Sequence, residues 1–198
     1  MTSKMAKFEL RVKYIFFFLL LAIFLTFVFH FSLTGSFFSS QDMGISYNKT
    51  CVTNVGEEII RGNSLSGFIE DGESVRVLFG YYDCNTPNRN DLIIYSHSGR
   101  EDPLIKIVRG VPGDFLGFLE TDNGWNILIN DKILRNSEGN LYAINKQRYK
   151  MLSLYEGVIP DGAYLILGNL VTGTLDSTQY GLVSVASIIG KAEKIIPD

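Results

Sequence analysis

From Tyr14 to Phe29 every residue is apolar or aromatic except Thr26, and the run continues through His30, Phe31, Ser32 and Leu33. A helix needs about twenty such residues to cross a bilayer core. Lys4, Lys7, Arg11 and Lys13 precede the run against a lone Glu9, so the positive-inside rule keeps the N-terminus in the cytoplasm. A cleavable secretory leader would have a shorter apolar core followed by a small-residue cleavage site. Thr34-Gly35-Ser36-Phe37-Phe38 offers no such site. The pattern predicts a basic cytoplasmic tail over residues 1–13, an uncleaved transmembrane anchor over 14–33, a polar linker over 34–48 and an extracytoplasmic domain over 49–198.

Past the linker the period shortens. Ser74 to Phe79 alternates polar and apolar before Gly80, and Asp91–Tyr95 follows a loop from Cys84 to Asn90. Leu104–Val108 is a further β-branched run, and the turn Pro112-Gly113-Asp114 leads into Phe115–Leu119. Asp122-Asn123-Gly124 is a hairpin signal. It feeds Trp125–Ile129, with Asn130-Asp131 as the next turn and Ile133-Leu134 beyond. Tyr164–Leu167 and Tyr180–Val185 close the series. Many short strands with scarcely any helical period predict a mainly β, antiparallel domain. The one candidate helix lies near Leu141–Leu154, where the period is weak.

Composition sharpens this picture in two places. The chain is 46% hydrophobic with a mean hydropathy of +0.13, and the excess sits in the N-terminal run. Its net charge is −3; since residues 1–13 contribute +3, about −6 falls on the remainder. An acidic domain without a basic stripe argues against a nucleic-acid partner. Cys51 and Cys84, the only cysteines, both lie beyond the anchor. Outside the cytoplasm such a pair favours a disulfide, with two unlinked thiols as the alternative, because spacing sets no connectivity. Neither has a Cys-x-x-Cys or Cys/His neighbour, so no metal or other cofactor is expected.

A serine hydroxyl becomes a good nucleophile only when a base takes its proton. Of the two histidines, His30 belongs to the anchor and His97 to the polar stretch Ser96-His97-Ser98-Gly99, which reads as an exposed turn. Lysine is the other base available, provided burial keeps it neutral near pH 7. Lys106 lies among Leu104, Ile105, Ile107 and Val108 and would share a strand face with Leu104 and Val108. From this segment alone, an edge-strand lysine pointing to water is an equal alternative.

Four segments weigh on that choice. Gly62-Asn63-Ser64-Leu65-Ser66-Gly67, followed by Ile69 and Asp71-Gly72-Glu73, resembles the serine motif of the bacterial signal peptidase I family. Lys106-Ile107-Val108-Arg109-Gly110-Val111-Pro112-Gly113-Asp114 resembles its lysine motif, with the same spacing from lysine to aspartate. Asn90–Tyr95 is similar to the strand between them. Gly168-Asn169, then Thr174-Leu175-Asp176-Ser177 and Tyr180–Val183, is similar to the C-terminal G-D-N…S-x-D-S-R…G-x-V segment. The segments occur in the family's order and cover most of residues 60–192.

The resemblance implies an antiparallel β peptidase in which Ser64 attacks the scissile carbonyl and Lys106 is the general base. It implies that the Ser64 N–H donates to the oxyanion, that Thr174 orients the lysine amine and that Asp176 braces that segment. Gly110, Pro112, Gly113 and Asp114 would fix a turn. The implied partners are preproteins bearing signal peptides, bound as an added strand, and the lipid bilayer. Ser66 is the rival nucleophile, but the alignment puts Ser64 in register.

Several positions depart from the motifs. Leu65 replaces a methionine, Gly67 a proline and Phe68 a threonine, which implies a less rigid loop after the nucleophile. Gly62 replaces the side-chain oxyanion donor, leaving Asn63 as the candidate substitute. Ile107 replaces the second basic residue, the G-D-N aspartate is absent, and Thr178 replaces the arginine after D-S. These changes suggest a divergent, dedicated member such as the conjugative-transfer type. Archaeal and endoplasmic-reticulum relatives usually carry histidine where Lys106 stands, which favours a bacterial inner-membrane enzyme. Two other functions compete: a catalytically inactive, membrane-anchored β-domain that binds or assembles envelope proteins, and a self-cleaving repressor-like protease. Retention of both Ser64 and Lys106 disfavours the first, and the anchor disfavours the second.

Overall fold

The structure, a computed structural model, describes residues 51–98 and 102–195. The anchor and the linker lie outside the described residues. Within them, no helix is long and apolar enough to cross a membrane.

The described chain is built of antiparallel strands in two sheets. The larger is formed by β1 (Asn54–Ile59), β2 (Ser74–Phe79), β3 (Leu92–Tyr95), β4 (Leu104–Gly110), β10 (Ala163–Leu167), β11 (Val183–Ser184) and β12 (Ile188–Lys194). Its spatial order is β1-β2-β12-β3-β4-β10-β11. The smaller contains β5 (Phe115–Thr121), β6 (Gly124–Ile129), β7 (Lys132–Ile133) and β9 (Gly157–Val158), in the order β7-β6-β5-β9, with β8 (Ala143–Ile144) also paired to β6. Helix α1 (Lys146–Leu152) follows β8, and the short α2 (Ser177–Tyr180) follows β10.

Alternation along the strands separates the cores. Leu78, Ile93, Val108 and Ile166 fill one cluster, while Val77, Leu92, Ile94 and Ile107 fill another. Strand β10 is buried on both faces: Tyr164 and Ile166 join the first cluster. Leu165 and Leu167 join a third, with Leu116, Ile127 and Leu152 of the smaller-sheet side. Such two-sided burial explains its unbroken apolar run.

Two predicted features are corrected. The stretch Tyr180–Val185 is not a continuous strand: α2 ends at Tyr180, and β11 covers only Val183–Ser184. Asp176 causes this, because its side chain caps α2 by accepting from Thr178 N. His97 is not an exposed turn residue but is half-buried, its ring 4.6 Å from that of Tyr180. Cys51 and Cys84 are disulfide-bonded with Cα atoms 6.0 Å apart, joining the residues before β1 to the loop after β2.

Candidate active site

Lys106 sits in the middle of β4, paired with Ile93 of β3. On its other side β10 pairs Leu167 with Ile107 and then ends. Continuing that register one step sets Gly168 opposite Lys106. A glycine is needed here: a Cβ on Gly168 would lie 2.6 Å from Ser64 O and 2.7 Å from Thr174 Cγ2. The serine loop and the Thr174 side chain therefore converge on the backbone facing Lys106. The lysine is 2% exposed. Its Nζ lies 3.1 Å from Ser64 Oγ and 2.8 Å from the carbonyl oxygen of Ile105. It points inward to Ser64, which removes the water-facing alternative.

Ser64 lies in a tight turn rather than on a strand. Ser66 N donates to Asn63 O, while Phe68 N and Ile69 N both donate to Leu65 O. Leu65 and Ile69 are fully buried and pin the turn to the core. The Ser64 carbonyl accepts from Asn169 N at 2.7 Å and Leu170 N at 3.1 Å. Gly62, at φ 83°, donates its N–H to Asp71 Oδ1. Asn63 is exposed, beside the half-buried Ser64.

The loop after Ser64 is held from outside its own segment. Gly67 adopts φ 80°, a conformation closed to proline, whose ring locks φ near −65°. Its carbonyl accepts from Ser137 Oγ at 3.1 Å, and the Glu138 carboxylate occupies the place of a Cβ. Asn169, fully buried, donates through Nδ2 to Ser66 O at 2.9 Å and to Ser137 Oγ at 2.8 Å. Its Oδ1 accepts from Ser137 N at 3.1 Å. The expected loss of rigidity at Gly67 is thus offset by a clamp from the β7–β8 loop.

Beside Gly168, Asp176 is 2% exposed and gathers donors on both carboxylate oxygens. Oδ2 accepts from Gly168 N at 3.1 Å and from Thr174 Oγ1. Oδ1 accepts from Thr178 N at 3.0 Å and Thr178 Oγ1 at 2.6 Å. Arg148 of α1 completes the group, donating from Nη1 to Thr178 Oγ1 at 2.5 Å and from Nη2 to Thr174 O at 3.2 Å. Burial, and secondarily the Asp176 charge, raise the pKa of the nearby Tyr180 hydroxyl.

The Pro112-Gly113-Asp114 turn lies between β4 and β5. Asp114 accepts from Val111 N at 2.8 Å and Asn130 Nδ2 at 2.8 Å, and pairs with Arg89 at 2.5 Å. Burial pushes its carboxyl up, but these partners outweigh burial and hold it below the usual carboxylate range.

The structure thus brings Ser64 and Lys106 into contact, gathers Thr174 and Asp176 beside them, and puts Cys51–Cys84 elsewhere. Arg148 and Ser137 carry no signal in the sequence. Gly168-Asn169 belongs to the C-terminal segment that resembles the family, but that resemblance does not show the close approach at Gly168 or the bonds that Asn169 makes.

The sequence model of the family described as "Signal peptidase, peptidase S26" matches residues 10–196. Signal peptidase IB of Staphylococcus aureus (strain COL) is 27% identical over 143 residues, covering 67% of this chain and 72% of that protein. Signal peptidase I of Bacillus caldolyticus is 22% identical over 144 residues, covering 68% and 75%. Among solved structures, a signal peptidase I from Enterococcus faecalis V583 aligns with a TM-score of 0.41 at 22% identity, over 54% of this chain and 97% of that one.

Proposed function

The chain belongs to the signal peptidase family, peptidase S26, and on that premise we propose that it is a serine endopeptidase cleaving signal peptides from exported preproteins, with Ser64 as nucleophile and Lys106 as base. The observation that carries this reading is the 3.1 Å approach of Lys106 Nζ to Ser64 Oγ by a lysine that is 2% exposed. Burial of an amine favours its neutral form, the form that can accept a proton.

The proposed reaction begins with a neutral Lys106 whose N–H still donates to Ile105 O while its lone pair faces the Ser64 hydroxyl. Ser64 Oγ attacks the scissile carbonyl carbon as its proton passes to Nζ. The oxyanion takes the Ser64 N–H, a type of contact worth about 3 kcal/mol of barrier; exposed Asn63 is the side-chain candidate beside it. Collapse breaks the C–N bond, and the Lys106 ammonium protonates the leaving amine. Water then attacks the Ser64 ester, giving a proton to Lys106, and Ser64 is regenerated with release of the acid. Thr174 orients the amine and Asp176 braces the segment that carries it; neither reacts.

The apolar run over 14–33 and its basic flank support a single-pass anchor in the bacterial cytoplasmic membrane, with the catalytic domain outside. Detergent-solubilised protein incubated with purified preproteins should cut each once, after its signal peptide, by mass spectrometry of the products. Ser64→Ala should remove that cleavage and leave the melting temperature near wild type. Absence of cleavage across several preproteins with the wild type would instead favour an inactive binding domain.

A further inference from the structure

We propose that Arg148 is a positioning residue for the Ser64/Lys106 pair: it locks Thr174, Asp176 and Thr178 into one unit against Gly168, which lies opposite Lys106. The inference rests on the catalytic reading above.

Arg148 is itself held firmly. Its backbone N–H donates to the Asn145 side chain at 3.0 Å, which caps α1. The next residue, Tyr149, stacks on Trp125 at 4.3 Å and 6° and meets Phe118 edge-on at 5.2 Å. Leu152 closes the helix in the third core cluster. With its backbone N–H capped and Tyr149 packed, the Arg148 side chain leaves a held helix and is 19% exposed.

Its guanidinium bridges two points on the 174–178 segment, the Thr174 carbonyl and the Thr178 hydroxyl. Nη1 also lies 4.0 Å from Asp176 Oδ1. Gln179 Nε2 donates to the same Thr174 carbonyl at 2.7 Å, so that carbonyl is tied twice. A buried carboxylate is costly unless it is paired and hydrogen-bonded, and Arg148 supplies a positive charge beside Asp176. Thr178 stands where the resembled motif carries an arginine. Its small hydroxyl leaves room for a guanidinium that arrives from a residue 30 positions earlier.

The unit reaches the pair through Gly168. Asp176 Oδ2 takes Gly168 N, and the Thr174 methyl group and Ser64 O both press against the Gly168 Cα position. Loosening the 174–178 segment therefore changes the wall against which Ser64 and Lys106 meet, without removing either.

The test is steady-state cleavage of one preprotein by full-length protein in detergent, for wild type, Arg148→Gln, Arg148→Lys, Thr174→Ala and Lys106→Ala. Arg148→Gln is expected to lower kcat by about tenfold or more with KM moved less than about threefold. The ascending limb of kcat against pH should shift to higher pH. Without Arg148 the Asp176 carboxylate, bound to the Gly168 N–H opposite Lys106, loses its compensating charge, and a less compensated negative charge makes a lysine amine easier to protonate. Arg148→Lys keeps the charge but has no planar fork to span both acceptors. It should leave the limb near wild type and recover only part of kcat. Arg148→Gln combined with Thr174→Ala should be no worse than the worse single variant, as expected when two residues act through one unit.

A wild-type kcat and limb in Arg148→Gln, with Lys106→Ala inactive, would overturn the inference and leave the catalytic reading standing. A fall in kcat with an unmoved limb and full additivity with Thr174→Ala would also overturn it, making Arg148 a stabilising residue only. Turnover in Lys106→Ala would instead sink the catalytic reading itself. If Arg148→Gln melts below assay temperature, Arg148→Lys decides: kcat equal to wild type overturns the inference.

Discussion

The seven-stranded sheet carries Lys106 on an interior strand, whereas the smaller sheet carries neither member of the pair and braces the loops around it. Lys106 is fixed by ordinary strand pairing, between Ile93 and the end of β10. The smaller-sheet side contributes Ser137, which ties Gly67 and Asn169. It also contributes Arg148, which ties Thr174 and Thr178. The difference teaches that placing a reactive group and keeping it aligned are separate tasks here. The first is local to one strand; the second draws on contacts between segments distant in sequence.

The division can be broken at its ends. The Cys51–Cys84 bridge lies wholly within the large-sheet side. In the chain-entropy picture its loop is worth about 3–4 kcal/mol. Denaturant melts with and without reductant should differ by that amount, while native protein alkylated without reductant should gain no mass. Gain of two labels would show unlinked thiols.

Gly168→Ala strikes where the pair and its supports touch. Its Cβ would meet the Ser64 carbonyl, backbone that cannot swing aside. Displacing Ser64 by a fraction of an ångström to one ångström should, on the proposed reading, lower kcat/KM about 100-fold, or about 2.7 kcal/mol of barrier. Near-normal kcat/KM in a folded variant would mean that the serine loop is not held against β10.

Asn169→Ala cuts the link between the serine loop and the β7–β8 loop. Loss of its two part-buried bonds, to Ser66 O and Ser137, should cost about 2 kcal/mol of stability by urea unfolding. Activity should fall with it, since Ser66 is two residues from Ser64.

The smallest effect is expected at Asp114, in the turn that joins the sheets. Its folded pKa is depressed, so its contribution is fully present above the usual carboxylate range. It is lost as pH falls through the lower folded value. Asp114→Asn should cost about 1 kcal/mol at pH 7 and progressively less in acid. A constant difference from pH 7 to pH 3 would mean that its charge is not involved.

Much of the strand framework was legible because the runs alternate or are uniformly apolar. Ser74–Phe79 was predicted with the bounds of β2. Strand β12 was missed although it lies between β2 and β3. Its inward positions include Gly190 and Ala192, which carry little hydrophobic signal; a Cβ at Gly190 would come within 3.0 Å of Leu78 O. Strand β1 was missed because it is an exposed edge with Glu57 and Glu58 in its middle. Helix α1 was faint because seven residues span barely two turns; its cap and the Tyr149 stack hold it instead. In the site, residue type alone left a water-facing Lys106 and a rival Ser66 open; Ser64 and Lys106 stood out through the motifs that resemble the family. Arg148 and Ser137 could not, because their partners are mainly backbone carbonyls and hydroxyls far along the chain, and a carbonyl leaves no trace in residue identity.

The most direct measurement is kcat/KM for one purified preprotein with wild type, Lys106→Ala and Lys106→Arg, each shown to be folded by its thermal melt. A guanidinium stays protonated at any assay pH and cannot accept the serine proton. Cleavage should therefore be lost in both variants, while His97→Ala remains close to wild type. Substantial turnover by folded Lys106→Ala would contradict the assignment of Lys106 as the base for Ser64.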